Sequence, residues 1–323
     1  MNKLTKLFKT VIVIVLSLVG VNLWAQDPAP AALSGTGTSA DPYQITCVAD
    51  WNAFAEAVNG GYDYSGKHVQ LEADIPSEVE ILEGTPALTT MVGVWDAEEA
   101  NRKPFKGTFK GNGKTIIVSY TSSADNYTAP FRCTNGATIT NDLTIVGNID
   151  ATNGYAAGAV GINYGSKTKI NGDVTVRVNI TGGGTHCGGF AVDATYLEMS
   201  SCLYNGQIIV GDYSAGYCAA GDENTKFNKC IFDPAAGSSI TGTNTGNYIN
   251  GSYNTANSNN YYYTNEAPTA STTQGVCIYK STSYDDIPDD KKFRMLTNVI
   301  NNTFPNTHHI TTRCSMSSRC AVP

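Results

Sequence analysis

Apolar positions along this chain follow two rhythms. Trp51, Phe54, Ala55 and Val58 fall three and four residues apart, the stripe of an amphipathic helix. Asp50 stands where an N-cap belongs, and Gly60-Gly61 follows the last turn. A helix of about ten residues is marginal alone, so its stripe must lie against something. Elsewhere the rhythm is that of strands: Tyr43-Gln44-Ile45 after Asp41-Pro42, then the alternation Val69, Leu71, Ala73, Ile75 across residues 67–75. Residues 107–116 read as strand, tight turn at Asn112-Gly113, strand.

From Gly107 onward the pattern itself repeats. Ala129-Pro130-Phe131, Gly158-Ala159-Val160, Gly189-Phe190-Ala191 and Gly216-Tyr217-Cys218 open four copies, at spacings of 29, 31 and 27 residues. A later apolar position gives Ile139, Ile170, Met199 and Phe227, at spacings of 31, 29 and 28. Third strands are expected at 143–146, 174–178, 207–210 and 238–241. A period near 29 with three short strands suits a triangular coil, successive coils stacking at about 4.8 Å with parallel, in-register hydrogen bonds. Cys202 and Cys230 occupy matching places in successive copies and are expected to stack inside. An antiparallel sandwich also yields regular short strands, but it gives no reason for the same residue classes to return at one fixed period. The fold class expected is therefore all-β, a solenoid of about five coils with a short N-terminal capping helix at 51–58. Its domains are a signal peptide at 1–25, a flexible lead-in at 26–41, an N-terminal cap region at 42–106, repeats at 107–265 and a C-terminal extension at 266–323. That extension carries a short helix (Phe293, Leu296, Val299, Ile300) and a disordered tail.

The N-terminus adds a destination. Lys3, Lys6 and Lys9 precede an apolar run over residues 11–21 that is too short to span a bilayer, and Leu23 and Ala25 suit a signal peptidase. Cleavage is expected between Ala25 and Gln26. Processing removes three lysines and no acid, so the formal net charge of −7 becomes −10, with 18 Lys+Arg against 28 Asp+Glu. Such a chain repels phosphate backbones, so no nucleic-acid partner is expected. No transmembrane segment is expected in the mature protein. Localisation is expected to be secreted, extracellular or at the outer cell surface, with the periplasm as the other compartment. Nine cysteines would then enter an oxidising compartment, an odd number lacking any C-x-x-C pair, and the central ones read as small core hydrophobes.

The residues also resemble a family. The run Gly35-Thr36-Gly37-Thr38-Ser39-Ala40-Asp41-Pro42-Tyr43, Ala49-Asp50-Trp51, Ser65-Gly66-Lys67 and Ala73-Asp74-Ile75 resembles the opening of GLUG-type β-helix proteins. The stretch Phe105-Lys106-Gly107-Thr108-Phe109-Lys110-Gly111-Asn112-Gly113-Lys114-Thr115-Ile116 is similar to their F-x-G-T-F-D-G-N-G-H-T-I hallmark. Gly158-Ala159-Val160-Gly161 is a variant of the core that names the motif, whereas Gly189-Phe190-Ala191-Val192 and Gly216-Tyr217-Cys218-Ala219 lose its second glycine. The resemblance spans roughly residues 34–265. It implies a right-handed parallel β-helix and a secreted or surface-associated, adhesin-like binding role of the kind numerous in Bacteroidetes, and no reaction.

Chemistry is sparse. Parallel β-helices also host polysaccharide lyases and hydrolases, which need carboxylates converging on one face. Asp193 and Asp222, with His186 near in sequence, are the candidates, but they sit four and six residues after the Gly189 and Gly216 landmarks and so miss register. Asp285-Asp286 and Asp289-Asp290 lack the ligand spacing of a calcium loop and read as N-terminal charges on the 293–300 helix. His308-His309 would point to opposite faces of a strand. No catalytic residue, metal site or cofactor is assigned. Tyr261, Tyr262 and Tyr263 are the candidate ligand contacts, since exposed aromatics stack on sugar rings; the competing reading is packing, because in an alternating strand the central tyrosine faces away from its neighbours. The function expected is a binding or adhesion module for glycan or a host surface protein, without catalysis. The rivals are a polysaccharide-cleaving enzyme and a structural surface spacer.

Overall fold

A computed structural model describes residues 28–242 apart from 124–125, 223, 229 and 233, and the backbone alone of 228, 231, 257–258, 261–263 and 279–281. The signal segment with its Ala25/Gln26 junction, the acids at 285–290, the 293–300 helix, His308-His309 and the C-terminal tail lie outside the described residues.

Short runs of Val, Ile and Thr between Gly, Asn and Asp form strands, as β-branched residues on a half-buried pleat should. The first sheet holds β1 (Tyr43–Ile45), β2 (His68–Leu71), β3 (Thr108–Lys110), β6 (Thr138–Thr140), β9 (Thr168–Ile170), β12 (Leu197–Ser200), β16 (Lys226–Asn228) and β19 (Asn257–Ser258). The second holds β4 (Thr115–Thr121), β7 (Thr144–Asp150), β10 (Val174–Thr181), β13 (Cys202–Tyr204), β17 (Ile231–Phe232), β20 (Tyr261–Tyr263) and β21 (Tyr279–Ser281). The third holds β5 (Phe131–Thr134), β8 (Val160–Asn163), β11 (Ala191–Asp193) and β15 (Cys218–Ala220). From β3 to β12 the chain visits the three sheets in strict rotation. Every pairing between these strands is parallel, which rules out the antiparallel sandwich.

The register matches the periodicity residue by residue. Phe109, Ile139, Ile170, Met199 and Phe227 form one line of partners in the first sheet. Phe131, Val160, Ala191 and Cys218 form another in the third. All nine are buried, and one apolar core draws on all three sheets. Partnering of Leu203 with Ile231 sets Cys202 opposite Cys230. Both are buried, and their thiols donate to the carbonyls of Ile170 (3.4 Å) and Met199 (3.6 Å), themselves partners. Cys133, Cys187 and Cys218 are likewise buried thiols, small apolar groups in the core as expected. Between the first and second sheets the backbone turns at Gly113, Asp142, Asp173 and Ser201, which share one register line and all have positive φ. Gly, Asp and Ser are small enough to hold that left-handed corner.

Three features differ from the expected layout. Parallel pairing starts at β1, not at Gly107: Tyr43 partners Val69 and Val69 partners Phe109, at intervals of 26 and 40 residues too uneven to read as a period. The lead-in is tied to this edge, with Gln44 N donating to the Ser34 carbonyl and His68 N to that of Gly37, both at 2.9 Å. The third strand of the third copy is β13, not 207–210. The Tyr204 hydroxyl donates to the Val178 carbonyl (3.0 Å), so the ladder breaks there and resumes only at the Ile180–Ile208 bridge. Residues Ile209–Val210 (β14) instead pair with Ser239–Ile240 (β18) in a two-stranded sheet.

The helix also begins differently. α1 spans Val48–Asn59 and buries the expected stripe of Trp51, Phe54, Ala55 and Val58. Its N-cap is Cys47, which supplies no side-chain bond, while Asp50 turns back to accept from Thr46 N (2.9 Å) and Oγ1 (2.6 Å). The orphan Val48 N–H is satisfied by Glu80 (2.9 Å), from the short helix α2 (Glu78–Leu82) with its Ser77–Glu80 capping box. Burial raises the Glu80 pKa, but hydrogen bonds from Ser77 and Val48 outweigh it and leave the carboxylate below its ordinary range. The stripe packs on the aromatic residues that open the sheets: Trp51 on Phe109 and Phe131, Phe54 on Phe105 and Phe109.

Candidate functional site

The loops leading into the third sheet carry an aromatic side chain in each successive copy. Bridges Thr128–Ala156, Ala157–Gly188 and Gly188–Ala215 place Tyr127, Tyr155, His186 and Tyr213 on one register line. Their rings touch in sequence: Tyr127–Tyr155 at 5.4 Å, Tyr155–His186 at 4.9 Å and His186–Tyr213 at 4.9 Å between centroids. Trp95 extends the row at one end, 5.6 Å from Tyr127 and edge to face with it. The row therefore holds five rings, and Tyr164, off the register line, also touches Trp95 at 5.8 Å.

The row is built from beneath as well as side by side. Ala129, Ala157, Val192 and Ala219 form a small apolar cluster separate from the main core, and Tyr127 and Tyr155 pack against it. Gly161 makes room for this: a Cβ there would stand 2.5 Å from the Arg132 carbonyl and 2.8 Å from Tyr127 Cβ. His186 and Tyr213 have φ near +55°, a conformation that costs a residue with a Cβ about 1–2 kcal/mol. The four rings from Trp95 to His186 are half-buried, while Tyr213 is 42% exposed.

Electrostatics of the row are muted. Burial lowers the His186 pKa, so the imidazole is neutral at pH 7, and its Nδ1 is buried without a hydrogen-bond partner. Burial, followed by the nearby charge of Asp193, pushes the Tyr127 phenol well above its usual range. At the Trp95 end the Arg102 guanidinium lies 3.9 Å over the indole and 4.9 Å over Tyr164. It is held by donating to the carbonyls of Asp96 (2.8 Å) and Ala97 (3.0 Å).

The sequence-derived candidates fall elsewhere. Tyr261, Tyr262 and Tyr263 lie in strand β20, paired on both sides, and their side chains lie outside the described residues. Asp193 partners Ala220, so Asp222 is two residues out of register with it. Asp193 accepts from Thr195 N (3.1 Å) and Oγ1 (2.7 Å) and shapes its own turn. Asp222 accepts from Tyr196 N, Asn224 and Thr225, and these bonds outweigh burial to leave its pKa lowered, unlike that of a general acid. His186 contacts tyrosines instead of a carboxylate. Among the described residues no three His, Cys, Asp or Glu side chains converge on a metal position. Among the same residues no helix is long and apolar enough to cross a membrane.

The row was missed although part of its signal is in the sequence. Tyr155, His186 and Tyr213 each stand three residues before the Gly158, Gly189 and Gly216 landmarks. Trp95 lies in a non-repeating stretch that carries no such signal. No family model, curated protein or solved structure matches the chain.

Proposed function

We propose that the exported chain is a right-handed parallel β-helix capped by α1, and that it works as a secreted or surface-associated binding or adhesion module whose recognition surface is the aromatic row. The observation that carries this reading is the line of five touching rings, half-exposed and backed by a dedicated apolar cluster away from the main core. Rigid aromatic groups on a fixed scaffold supply contact area at little entropic cost. Rotation of the chain through three parallel sheets supports the helix, and the likeness of residues 105–116 to the GLUG-type hallmark supports both its hand and an adhesin-like role.

Two measurements test the proposal. The exported protein should begin at Gln26 by mass. On arrays of glycans and extracellular proteins it should bind a defined subset, and Tyr127→Ala/Tyr155→Ala should lose that binding while Lys169→Ala/Lys226→Ala on the first sheet retains it. Release of reducing sugar from a glycan panel would favour the enzyme instead. Blank arrays throughout would favour a spacer.

A further inference from the structure

We infer that the row is read lengthwise by a neutral, linear glycan, its pyranose rings stacking on those aromatic faces that turn off the row axis, with the sugar chain running across the strands. This rests on the binding-module reading and names its ligand class. Three observations lead to it.

The first is the repeat. Neighbouring centroids lie 5.6, 5.4, 4.9 and 4.9 Å apart, close to the advance of one pyranose in an extended chain. A peptide strand laid the same way would offer alternate side chains to opposite sides and meet the row at every second residue only. An extended glycan offers one ring per step.

The second is orientation. Trp95–Tyr127, Tyr127–Tyr155 and Tyr155–His186 are turned by 88°, 46° and 67°, and only His186–Tyr213 is face to face at 13°. Rings turned this way do not hide each other's faces completely, as a stack of parallel rings would. In an edge-to-face pair one ring turns its face off the row axis. Those faces suit the flat C–H faces of equatorially linked sugars, and the apolar cluster beneath Tyr127 and Tyr155 prevents the rings from swinging away. Arg102 already covers one face of Trp95.

The third is charge. His186 is the row's own basic group and is neutral at pH 7. Arg102, the cation at the row's end, is oriented by two backbone carbonyls, and loss of the three N-terminal lysines takes the formal net charge of the exported chain from −7 to −10. A polyanionic glycan would meet repulsion with no cation in the row itself to answer it.

The test is calorimetric titration of the exported full chain with β-1,4-linked oligomers of glucose and of N-acetylglucosamine, one to six units long, with α-1,4-linked glucose hexamer as the shape control. Affinity should climb with chain length and level off once the oligomer spans the row, at no more than about five units. The α-linked hexamer should bind more weakly. Tyr155→Ala, which breaks the row at its centre, should lose about tenfold in affinity and shorten the length at which binding levels off. Tyr155→Phe should keep both, and Tyr196→Ala, an exposed aromatic off the row, should leave both unchanged. A monosaccharide binding as tightly as the hexamer, or Tyr155→Ala binding like the parent while folded by circular dichroism, overturns the inference. If no oligomer binds but Tyr127→Ala/Tyr155→Ala abolishes binding to an arrayed protein, the glycan assignment falls and the module reading stands. If that double variant alters nothing on either array, both fall.

Discussion

Gly206 sits where the Val178 carbonyl comes closest to the neighbouring copy of the pattern: a Cβ placed there would lie 2.1 Å from that oxygen. Main chain cannot yield as a flexible side chain would, so Gly206→Ala must push the two copies apart or bend one of them. The expected loss is about 2 kcal/mol or more, read as a lowered urea midpoint; an unchanged midpoint would show that the close approach is not real. The thiols give a second test at this scale. Burial pushes Cys133 and Cys187 up to about 12, and Cys202 and Cys218 well above the ordinary thiol range. Thiolate is the reactive form, so iodoacetamide at pH 8 should spare these four and Cys230 in the folded protein and label the half-buried Cys47. After unfolding all six should react; native labelling at Cys202 would refute its burial. The sign for stability follows. A raised folded pKa means that the unfolded chain loses its proton first, so these thiols cost nothing below about pH 8.5. Above that, each of Cys133 and Cys187 weakens the fold by about 1.4 kcal/mol per pH unit until its folded value is reached.

At the scale of elements, α1 has a role that its own propensity cannot explain. Its N-terminus lacks an oxygen-bearing cap and borrows the carboxylate of Glu80 from 32 residues away, so its start is a tertiary feature. What holds it is the stripe. Trp51 meets Phe54, Phe109 and Phe131 at 5.9–6.0 Å and donates Nε1–H to the Thr90 carbonyl at 3.0 Å. Trp51→Ala should therefore cost about 3–5 kcal/mol, and Trp51→Phe, which keeps the packing and gives up the hydrogen bond, should cost distinctly less. Equal midpoints for parent and Trp51→Ala in urea denaturation would mean that the helix is not needed to cover the start of the sheets.

For the whole molecule the length of unbroken register decides where stability concentrates. β7 pairs over seven residues with β4 on one side and seven with β10 on the other, whereas β17 and β18 contribute two residues each. Where strands are held by their partners in a sheet, opening should begin where pairing is shortest. Amide exchange should thus be slowest in Thr144–Asp150 and fastest, among the described strands before residue 243, in Ile231–Phe232 and Ser239–Ile240. Uniform protection from 108 to 240 would instead mean one cooperative unit.

The lines of strand partners were legible in the residues alone. Phe109, Ile139, Ile170, Met199 and Phe227 could be aligned before any fold was known, because parallel in-register pairing sets equivalent residues against one another and a buried line of partners demands the same class at each. The stripe of α1 was legible for the same reason: burial on one face leaves a 3.6-residue imprint. Long-range contacts set the rest. They extended the first sheet back to Tyr43 across a 40-residue gap that has no period, and they placed a strand at Cys202–Tyr204, in register with Val174–Val176, the ladder breaking off where a tyrosine hydroxyl takes the Val178 carbonyl. They also gathered Trp95, Tyr127, Tyr155, His186 and Tyr213 into a surface. Rows of this kind run across strands, between residues 27 to 32 positions apart, and whether such neighbours touch depends on how each loop turns its side chain, which no local pattern of polarity encodes.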